Sequence, residues 1–303
     1  MKKILVTGAT GFIGKALTQN LVESGYPVRV LLRPSPESPD LPPGVPVEVS
    51  VASLNNPRGL RAALVDIGIV YHLASQERHG AGGDLLQTDI QGTKNLVSAA
   101  EDAGIDRFFF LSHLGADRAS AFPIMTAKAI AEQQIQKSSL NYTILRTGQV
   151  FGPQDHFTTN LATLIRTIPF IFLLPDQGDT LLQPLWIEDL TTALVWALDL
   201  ENTHRKLYEI GGPEQLTFRE IVETLLEKLN KKRYLVPIQS AYLRMITVFG
   251  EYLSPSPLTT VFWLDYLASN RTCSLNTLPH IFNLLPSRFG KRLTYLNPES
   301  APE

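Results

Sequence analysis

The stretch Lys2-Lys3-Ile4-Leu5-Val6-Thr7-Gly8-Ala9-Thr10-Gly11-Phe12-Ile13-Gly14 decides the fold of this chain. A short aliphatic run of this kind is typical of a buried parallel strand, and here it leads directly into three glycines at spacing three. Apolar residues at helical spacing follow over 15–22. The pattern therefore predicts a strand, a tight turn and a helix.

The glycine turn indicates the kind of ligand. Glycines at positions 8, 11 and 14 remove Cβ atoms where backbone must approach a pyrophosphate, and the helix beyond them offers free N–H groups and a partial positive charge. The alternative is a turn that only packs tightly. We expect a dinucleotide, and its predicted contacts in the turn are Gly8, Thr10, Gly11, Phe12, Ile13 and Gly14.

Length and composition place the chain among ordinary globular proteins. Its 303 residues are 44% hydrophobic and 18% charged, with a formal net charge of −2, so we expect no nucleic-acid partner. A single cysteine, Cys273, excludes an internal disulfide and suits a reducing compartment. The first apolar run is too short for a signal peptide, and no run reaches transmembrane length. We therefore expect a cytoplasmic protein that is not transmembrane.

Strands alternate with helices through the first half of the chain. Strand-like runs occur at 28–32, 47–51, 67–74, 107–112 and 142–146, with helical patterns at 57–64, 84–103 and 121–138 and a flexible loop at 79–83. This alternation predicts an α/β protein with a doubly wound parallel sheet, the Rossmann fold.

The second half of the chain is less regular. It has helical patterns at 157–168, 188–200, 217–230, 240–253 and 258–268, and short strands near 183–187, 206–210 and 234–237. We expect a dinucleotide-binding Rossmann domain over 1–160 and a small C-terminal α+β lobe over 161–303. Residues 183–210 are expected to return to the Rossmann domain.

The end of the second strand bears on which dinucleotide binds. This strand ends at Arg33, and no acidic residue occurs between Gly25 and Glu37. An acid at this point accepts a hydrogen bond from the ribose 2′-OH of NAD, whereas an arginine accommodates the 2′-phosphate of NADP. Arg33, with Ser35 as a neighbouring donor, therefore predicts NADP(H) over NAD(H). The alternative is an exposed loop arginine that binds nothing.

The fourth predicted strand supplies two more expected cofactor contacts. It ends in Ala74 and Ser75, whose small side chains would let a cofactor lie across the strand edge. His72 lies inside the same apolar strand and is interpreted as a core histidine. Asp189 follows a short strand, and a helix N-cap explains it. No His, Cys, Asp or Glu cluster has metal-ligand spacing, so no metal site is predicted.

Successive segments of the chain resemble a known family. They are TGATGFIG at 7–14, YHLAS at 71–75, GTKNLVSAAEDAG at 92–104, FFFLSHLGA at 108–116, TAKAIAEQQI at 126–135, LRTGQVFGPQD at 145–155, PLWIEDL at 184–190 and YEIGGPEQLTFREIV at 208–222. Together they resemble the extended and atypical short-chain dehydrogenases/reductases, which are NAD-dependent epimerase/dehydratase-like. SHLGA at 112–116 and PLTTVFWLDYLASN at 257–270 are most similar to the subgroup related to the NAD(P)-binding accessory subunit of respiratory complex I and to NmrA-like proteins.

The resemblance implies a site that departs from the family's chemistry. In that family a tyrosine four residues before a lysine is the acid/base, the lysine also holds the nicotinamide ribose, and a hydroxyl after the fifth strand orients the substrate carbonyl. Lys128 matches the lysine and is expected to hold the ribose, but Ile124 stands where the tyrosine belongs. His113 falls at the hydroxyl position, one residue after Ser112. The candidate catalytic residues are therefore His113 and Lys128.

Two functions follow from the resemblance. One is an NADP-dependent oxidoreductase acting on an apolar carbonyl or quinone-like small molecule, with His113 or Lys128 replacing the tyrosine. The other is a non-catalytic NADP(H)-binding protein, either a redox sensor or an assembly or accessory subunit of a larger complex. Apolar residues at helical spacing over 242–253 and 261–267 are expected in the core. The alternative is a lid, or a patch that meets a partner protein or a membrane surface.

Overall fold

The computed structural model describes residues 2–77, 83–253 and 259–297. The elements of its first half are β1 (Lys3–Thr7), α1 (Phe12–Glu23), β2 (Val28–Leu32), β3 (Glu48–Val51), α2 (Pro57–Ala63), β4 (Ile67–His72), α3 (Thr93–Asp102), β5 (Arg107–His113), α4 (Pro123–Lys137) and β6 (Tyr142–Thr147). The predicted loop at 79–83 lies outside the described residues except for Gly83, and so do positions 257 and 258 of the C-terminal segment.

The second half adds shorter strands and six helices within the described residues. They are β7 (Val150–Phe151), α5 (Thr158–Thr167), β8 (Ile171–Pro175), β9 (Leu181–Leu182), β10 (Leu185–Trp186), α6 (Ile187–Trp196), β11 (Lys206–Ile210), β12 (Leu216–Thr217), α7 (Phe218–Lys228), β13 (Tyr234–Ile238), α8 (Ser240–Leu253), α9 (Val261–Leu267) and α10 (Thr277–Phe282). A π-helical segment, Leu86–Gly92, precedes α3, and short 3-10 helices lie at Glu201–Thr203, Phe289–Lys291 and Leu293–Leu296.

Seven parallel strands form the central sheet, in the order β3-β2-β1-β4-β5-β6-β11. The order reverses between β1 and β4, and ligands of doubly wound sheets bind in the crevice at such a reversal. The predicted fold class, a Rossmann fold with a small C-terminal α+β lobe, is confirmed. The last strand of the sheet, β11, pairs with β6 and comes from the predicted run at 206–210.

Strand alternation explains why both faces of the sheet are covered. Ile4 and Val6 of β1 pack into one apolar cluster with residues of α1 and α6. Leu5 points to the opposite face and packs into a second cluster with residues of α2, α3 and α4. Because successive residues serve opposite faces, the whole run must be apolar, which is the pattern that marks a doubly covered parallel strand.

The C-terminal lobe contains two elements that the sequence reading missed. Ile171–Pro175 forms β8, which pairs in parallel with β13, and Thr277–Phe282 forms α10. The strand predicted at 183–187 is instead two short strands, β9 and β10, on either side of Gln183 and Pro184. The differences in the strands depend on pairing with distant residues, which local periodicity does not encode.

The two apolar segments near the C-terminus differ in burial. In α9, Val261, Tyr266 and Leu267 are buried, as expected. In α8 only Thr247 is buried, and the large apolar side chains over 242–253 are exposed. The prediction that this segment is core is therefore wrong for α8. Among the described residues, no helix is both long enough and apolar enough to span a membrane.

Candidate functional site

The glycine turn has the close contacts that its sequence predicts. Gly8 has φ +73°, and a Cβ there would lie 2.7 Å from the backbone nitrogen of Ala74. A Cβ at Gly14 would lie 2.1 Å from the carbonyl oxygen of Gly8. Gly11 is the N-cap residue of α1 and has no side chain to bond the first amides of the helix, so these amides are available to an anion. The turn therefore fits the pyrophosphate of a dinucleotide.

A cleft of about 1520 Å³ opens above this turn, at the reversal of strand order. Its lining includes seven of the predicted cofactor residues: Gly8, Thr10, Gly11, Phe12, Arg33, Ala74 and Ser75. Three others do not line it: Ile13 and Gly14, which lie in the first turn of α1, and Lys128. The volume and the position at the strand ends suit a dinucleotide.

The far end of the cleft is formed by the segment after β2. Arg33 is exposed and lines the cleft together with Ser35, Ala52 and Ser53. The Ser35 hydroxyl accepts a hydrogen bond from the backbone N–H of Glu37 at 3.2 Å, which orders the start of the loop. Lys15 of α1 forms an ion pair with Asp40 across the same loop. Within the described residues, the Arg33 guanidinium therefore has no ion-pair partner, and it lies where a ribose 2′ substituent is expected.

His72 is a core histidine, as predicted from its apolar strand. It is fully buried, its Nδ1 lies 2.7 Å from the Thr7 hydroxyl and its Nε2 lies 2.9 Å from the Thr93 hydroxyl. Because Thr93 donates its proton to the carbonyl of Asp89, it accepts from Nε2–H, and Nδ1 accepts from Thr7. Burial, and secondarily the charge of Lys128, lower the pKa of His72 to about 3, so the ring is neutral.

A cluster of charged side chains occupies the ends of β4 and β5. The Nε2 atom of His113 lies 2.7 Å from Oε2 of Glu77, and the Lys128 Nζ lies 3.9 Å from that same oxygen. Lys128 Nζ is also 3.3 Å from Oδ1 of Asp89, and Lys128 is only 4% exposed. The Glu77 carboxylate therefore contacts both predicted catalytic residues, and Asp89 lies beside Lys128 as well.

The cluster changes the protonation of Glu77. Desolvation by burial acts to raise the pKa of this carboxyl, but the charge and hydrogen bond of His113, followed by the charge of Lys128, lower it to about 2. The Ser75 hydroxyl adds a hydrogen bond to Glu77 at 3.3 Å. Glu77 is therefore ionised at neutral pH and bridges the wall of the cleft, at Ser75, to the charged cluster.

Aromatic residues of the C-terminal lobe cover His113. Its ring lies 5.9 Å from that of Phe262 and 6.1 Å from that of Tyr266. The guanidinium of Arg271 stacks on Tyr266, 5.5 Å from its ring centroid, and donates a hydrogen bond to the carbonyl of Leu114, which follows β5. The lobe thus closes this end of the site with α9.

The position of the family's tyrosine is apolar and closed. Ile124 lies in the first turn of α4, is 3% exposed, and packs in the main apolar cluster. Ser112 faces away from His113 and is buried, with no hydrogen-bond partner for its hydroxyl among the described residues. No hydroxyl therefore stands at either position where the family's reaction uses one.

Sequence reasoning missed both carboxylates of the cluster. Glu77 follows β4 in a loop, and Asp89 lies in a π-helical segment that was read as ordinary helix. Asp89 is 2% exposed and accepts a hydrogen bond from the backbone N–H of Gln76 at 3.0 Å. An acidic residue at a buried position of a helix is the feature of the sequence that indicates such a role. Asp189 is not an N-cap, because Trp186 precedes α6 and Asp189 accepts from the Ser287 backbone instead.

Comparisons with known proteins agree with this geometry. A family model described as NAD(P)H-binding matches residues 8–164, just over half of the chain. NADH dehydrogenase (ubiquinone) 1 alpha subcomplex subunit 9, a mitochondrial protein of Arabidopsis thaliana, is 26% identical over 284 residues, covering 89% of this chain and 70% of its own. Photosystem II assembly factor Ycf39 of Cyanophora paradoxa is 28% identical over 247 residues, covering 78% and 72%.

A solved structure adds support for the fold alone. The crystal structure of gox2253 superposes with a TM-score of 0.77 at 22% identity and covers 98% of this chain and 97% of its own. The glycine turn and most of the residues that line the cleft fall within the match to the family model. The chain therefore belongs to the NAD(P)H-binding family, as one of its extended, atypical short-chain dehydrogenase/reductase-like members.

Proposed function

We propose that this protein is an accessory or assembly component of a larger complex that binds NADP(H) without turning it over. The single observation that carries the proposal is Ile124, a buried apolar residue at the position of the family's proton donor. Reduction of a carbonyl needs a group that delivers a proton as the hydride is transferred, and an isoleucine side chain has none.

The charged cluster supports the same proposal. A lysine that is to hold a ribose must present its ammonium group to the cleft, but Lys128 is 4% exposed and lies beside Asp89 and Glu77. Moving its charge out of this arrangement would leave a buried carboxylate uncompensated, which costs several kcal/mol. The lysine is therefore better suited to stabilising the fold than to a catalytic cycle.

The relatives' names favour the accessory role. One is a subunit of the mitochondrial NADH dehydrogenase and the other is an assembly factor for photosystem II. Both names describe work within large complexes. The cytoplasmic location expected for this chain stays a prediction, since the first of these relatives is mitochondrial.

We also propose that the protein binds NADP(H) in preference to NAD(H). Arg33 lines the cleft, is exposed, and has no ion-pair partner among the described residues. Bidentate hydrogen bonds from a guanidinium match the geometry of a phosphate. A 2′-phosphate would give Arg33 its partner, whereas a 2′-hydroxyl would leave it in water.

A second candidate function, an NADP-dependent oxidoreductase on an apolar carbonyl or quinone-like compound, has one observation in its favour. A histidine that is hydrogen-bonded to a carboxylate is the usual arrangement of a general acid/base, and His113 and Glu77 lie 2.7 Å apart at the carboxyl end of a central strand. In this alternative His113 would donate the proton that the missing tyrosine cannot.

Incubation with NADPH and a panel of carbonyls and quinones separates the two functions. The proposal predicts that NADPH binds and is not oxidised beyond the rate of a protein-free control. Oxidation of NADPH that is lost in both His113→Ala and Lys128→Met would overturn it. The exposed residues Lys94 and His280 offer matched controls, Lys94→Met and His280→Ala, which must keep any such rate. Fluorescence titration with NADPH verifies that each variant still folds and binds.

A further inference from the structure

The helix α8 carries an apolar surface that nothing in the described chain covers. Seven of its large apolar side chains are at least half exposed, and Tyr252 is the most exposed at 88%. Its two charged residues are already engaged, since Arg244 bonds Asp265 and Glu251 accepts from the Val261 backbone at 2.7 Å. A helix that is apolar on nearly all sides is usually buried, so this surface calls for something to cover it.

The two-stranded sheet of β8 and β13 adds a second apolar surface. The register pairs Ile171 with Tyr234 and Leu173 with Val236, so these four side chains share one face of the sheet. Tyr234 is 78% exposed, and Phe170, which precedes β8, is 74% exposed. One apolar face and one exposed aromatic edge thus lie together at the end of this sheet.

The sheet and the helix are continuous in the chain. Only Gln239 separates β13 from α8, and Ser240 at the start of α8 bonds the Asp176 carboxylate after β8 at 2.5 Å. We call the exposed apolar residues of β8, β13 and α8, with Phe170, the lobe surface. Contiguous exposed apolar patches of this kind mark interaction sites in soluble proteins.

Basic residues predominate around the lobe surface, where the acidic residues Asp176 and Glu251 are both hydrogen-bonded. Residues 228–250 contain five basic residues and no acidic one, and residues 163–175 contain Arg166 and no acidic one. Lys231 and Lys232 are exposed and form no ion pair within the described residues. Since the whole chain has a net charge of −2, the positive charge is concentrated where the exposed apolar side chains are.

We infer that the lobe surface docks on an anionic lipid bilayer. Aromatic and aliphatic side chains would enter the boundary between headgroups and acyl chains, and Lys231 and Lys232 would meet the anionic headgroups. A second copy of the chain fits less well, because it would set the same cations against each other. The inference extends the proposed accessory role by naming the surface at which the protein works, and lipid binding is measured separately from turnover.

Flotation with lipid vesicles tests this inference on the full chain. Vesicles of phosphatidylcholine are compared with vesicles of an equal mixture of phosphatidylcholine and phosphatidylglycerol. The wild type is expected to bind the mixed vesicles and to be released by high salt, because headgroup attraction is screened. Phe249→Glu and the double variant Lys231→Glu/Lys232→Glu should each lower the partition coefficient at least about tenfold.

Matched control variants separate a change in the lobe surface from a general change in charge or a loss of folding. Leu285→Glu changes an exposed leucine outside the lobe surface, and Arg58→Glu/Lys94→Glu makes the same total charge change on α2 and α3. Both should bind within about twofold of wild type, since neither alters the lobe surface. NADPH titration shows that all variants fold.

Three outcomes would overturn the inference. They are wild type that does not float, wild type that floats equally with both kinds of vesicle, and controls that lose as much binding as the lobe variants. Non-floating protein that forms dimers sensitive to Phe249→Glu would assign the lobe surface to a second copy instead. None of these outcomes bears on whether NADPH is bound or oxidised, so the proposed function is judged by its own assay.

Discussion

Gly8 offers a sharp test of the cofactor turn because Gly25 provides a matched control. Both glycines have positive φ, +73° and +83° respectively, so alanine at either position meets the left-handed backbone penalty of about 1–2 kcal/mol. At Gly25 a Cβ would have no atom within 4 Å, whereas at Gly8 it would lie 2.7 Å from Ala74 N and 2.7 Å from Leu73 C. Both neighbours are backbone atoms and cannot rotate away. Gly8→Ala should therefore cost a further ~1–3 kcal/mol for overpacking.

Urea unfolding of the two variants measures this difference directly. We expect Gly25→Ala to lose about 1–2 kcal/mol of unfolding free energy and Gly8→Ala about 2–5 kcal/mol. Because the displaced Ala74 also lines the cleft, Gly8→Ala should bind NADPH more weakly, and Gly25→Ala should not. Equal losses of stability in the two variants would show that the backbone at Leu73 and Ala74 moves at little cost. The close packing inferred for Gly8 would then be wrong.

Two further predictions concern the cofactor and pH. Arg33→Asp should weaken NADPH binding at least about tenfold and leave NADH binding nearly unchanged, because only the 2′-phosphate contacts the guanidinium; wild type that binds both cofactors equally would refute this. The pKa of His72 is about 3 in the folded chain against 6.5 unfolded, so the unfolded chain binds the extra proton below pH 6.5 and stability falls with pH. Between about pH 6.5 and 4.5 the loss from His72 should be about 2–3 kcal/mol in denaturant titrations, and most of the stability that Glu77 contributes is lost only below this range. His72→Asn should remove this loss, and an unchanged slope would contradict it.

The parts of the fold that follow from local chemistry were predictable. A run such as Ile4–Val6 that ends in a glycine turn and a helix has few other structures available. The burial of His72 also followed, because every neighbour in its strand is apolar. In both cases the residue types within one short run of sequence decide the outcome.

The parts that depend on distant contacts were not predictable. The apolar spacing of α8 is the same whether a helix is covered by its own chain or by another surface, so periodicity misassigned it to the core. β8 exists only because β13, more than sixty residues later, pairs with it. Glu77 has no local pattern at all, since its role comes from His113 on a neighbouring strand.

One residue, Asp89, links the cleft to the charged cluster. One of its carboxylate oxygens accepts from the backbone of Gln76, which lines the cleft, and the other lies 3.3 Å from Lys128. Its own carbonyl accepts from Thr93, the hydroxyl that fixes His72. The cleft wall at Gln76 is therefore held by the same carboxylate that lies beside the lysine. Through Thr93 the same residue also fixes the neutral ring of His72, so one buried acid joins the cleft wall to two buried basic side chains.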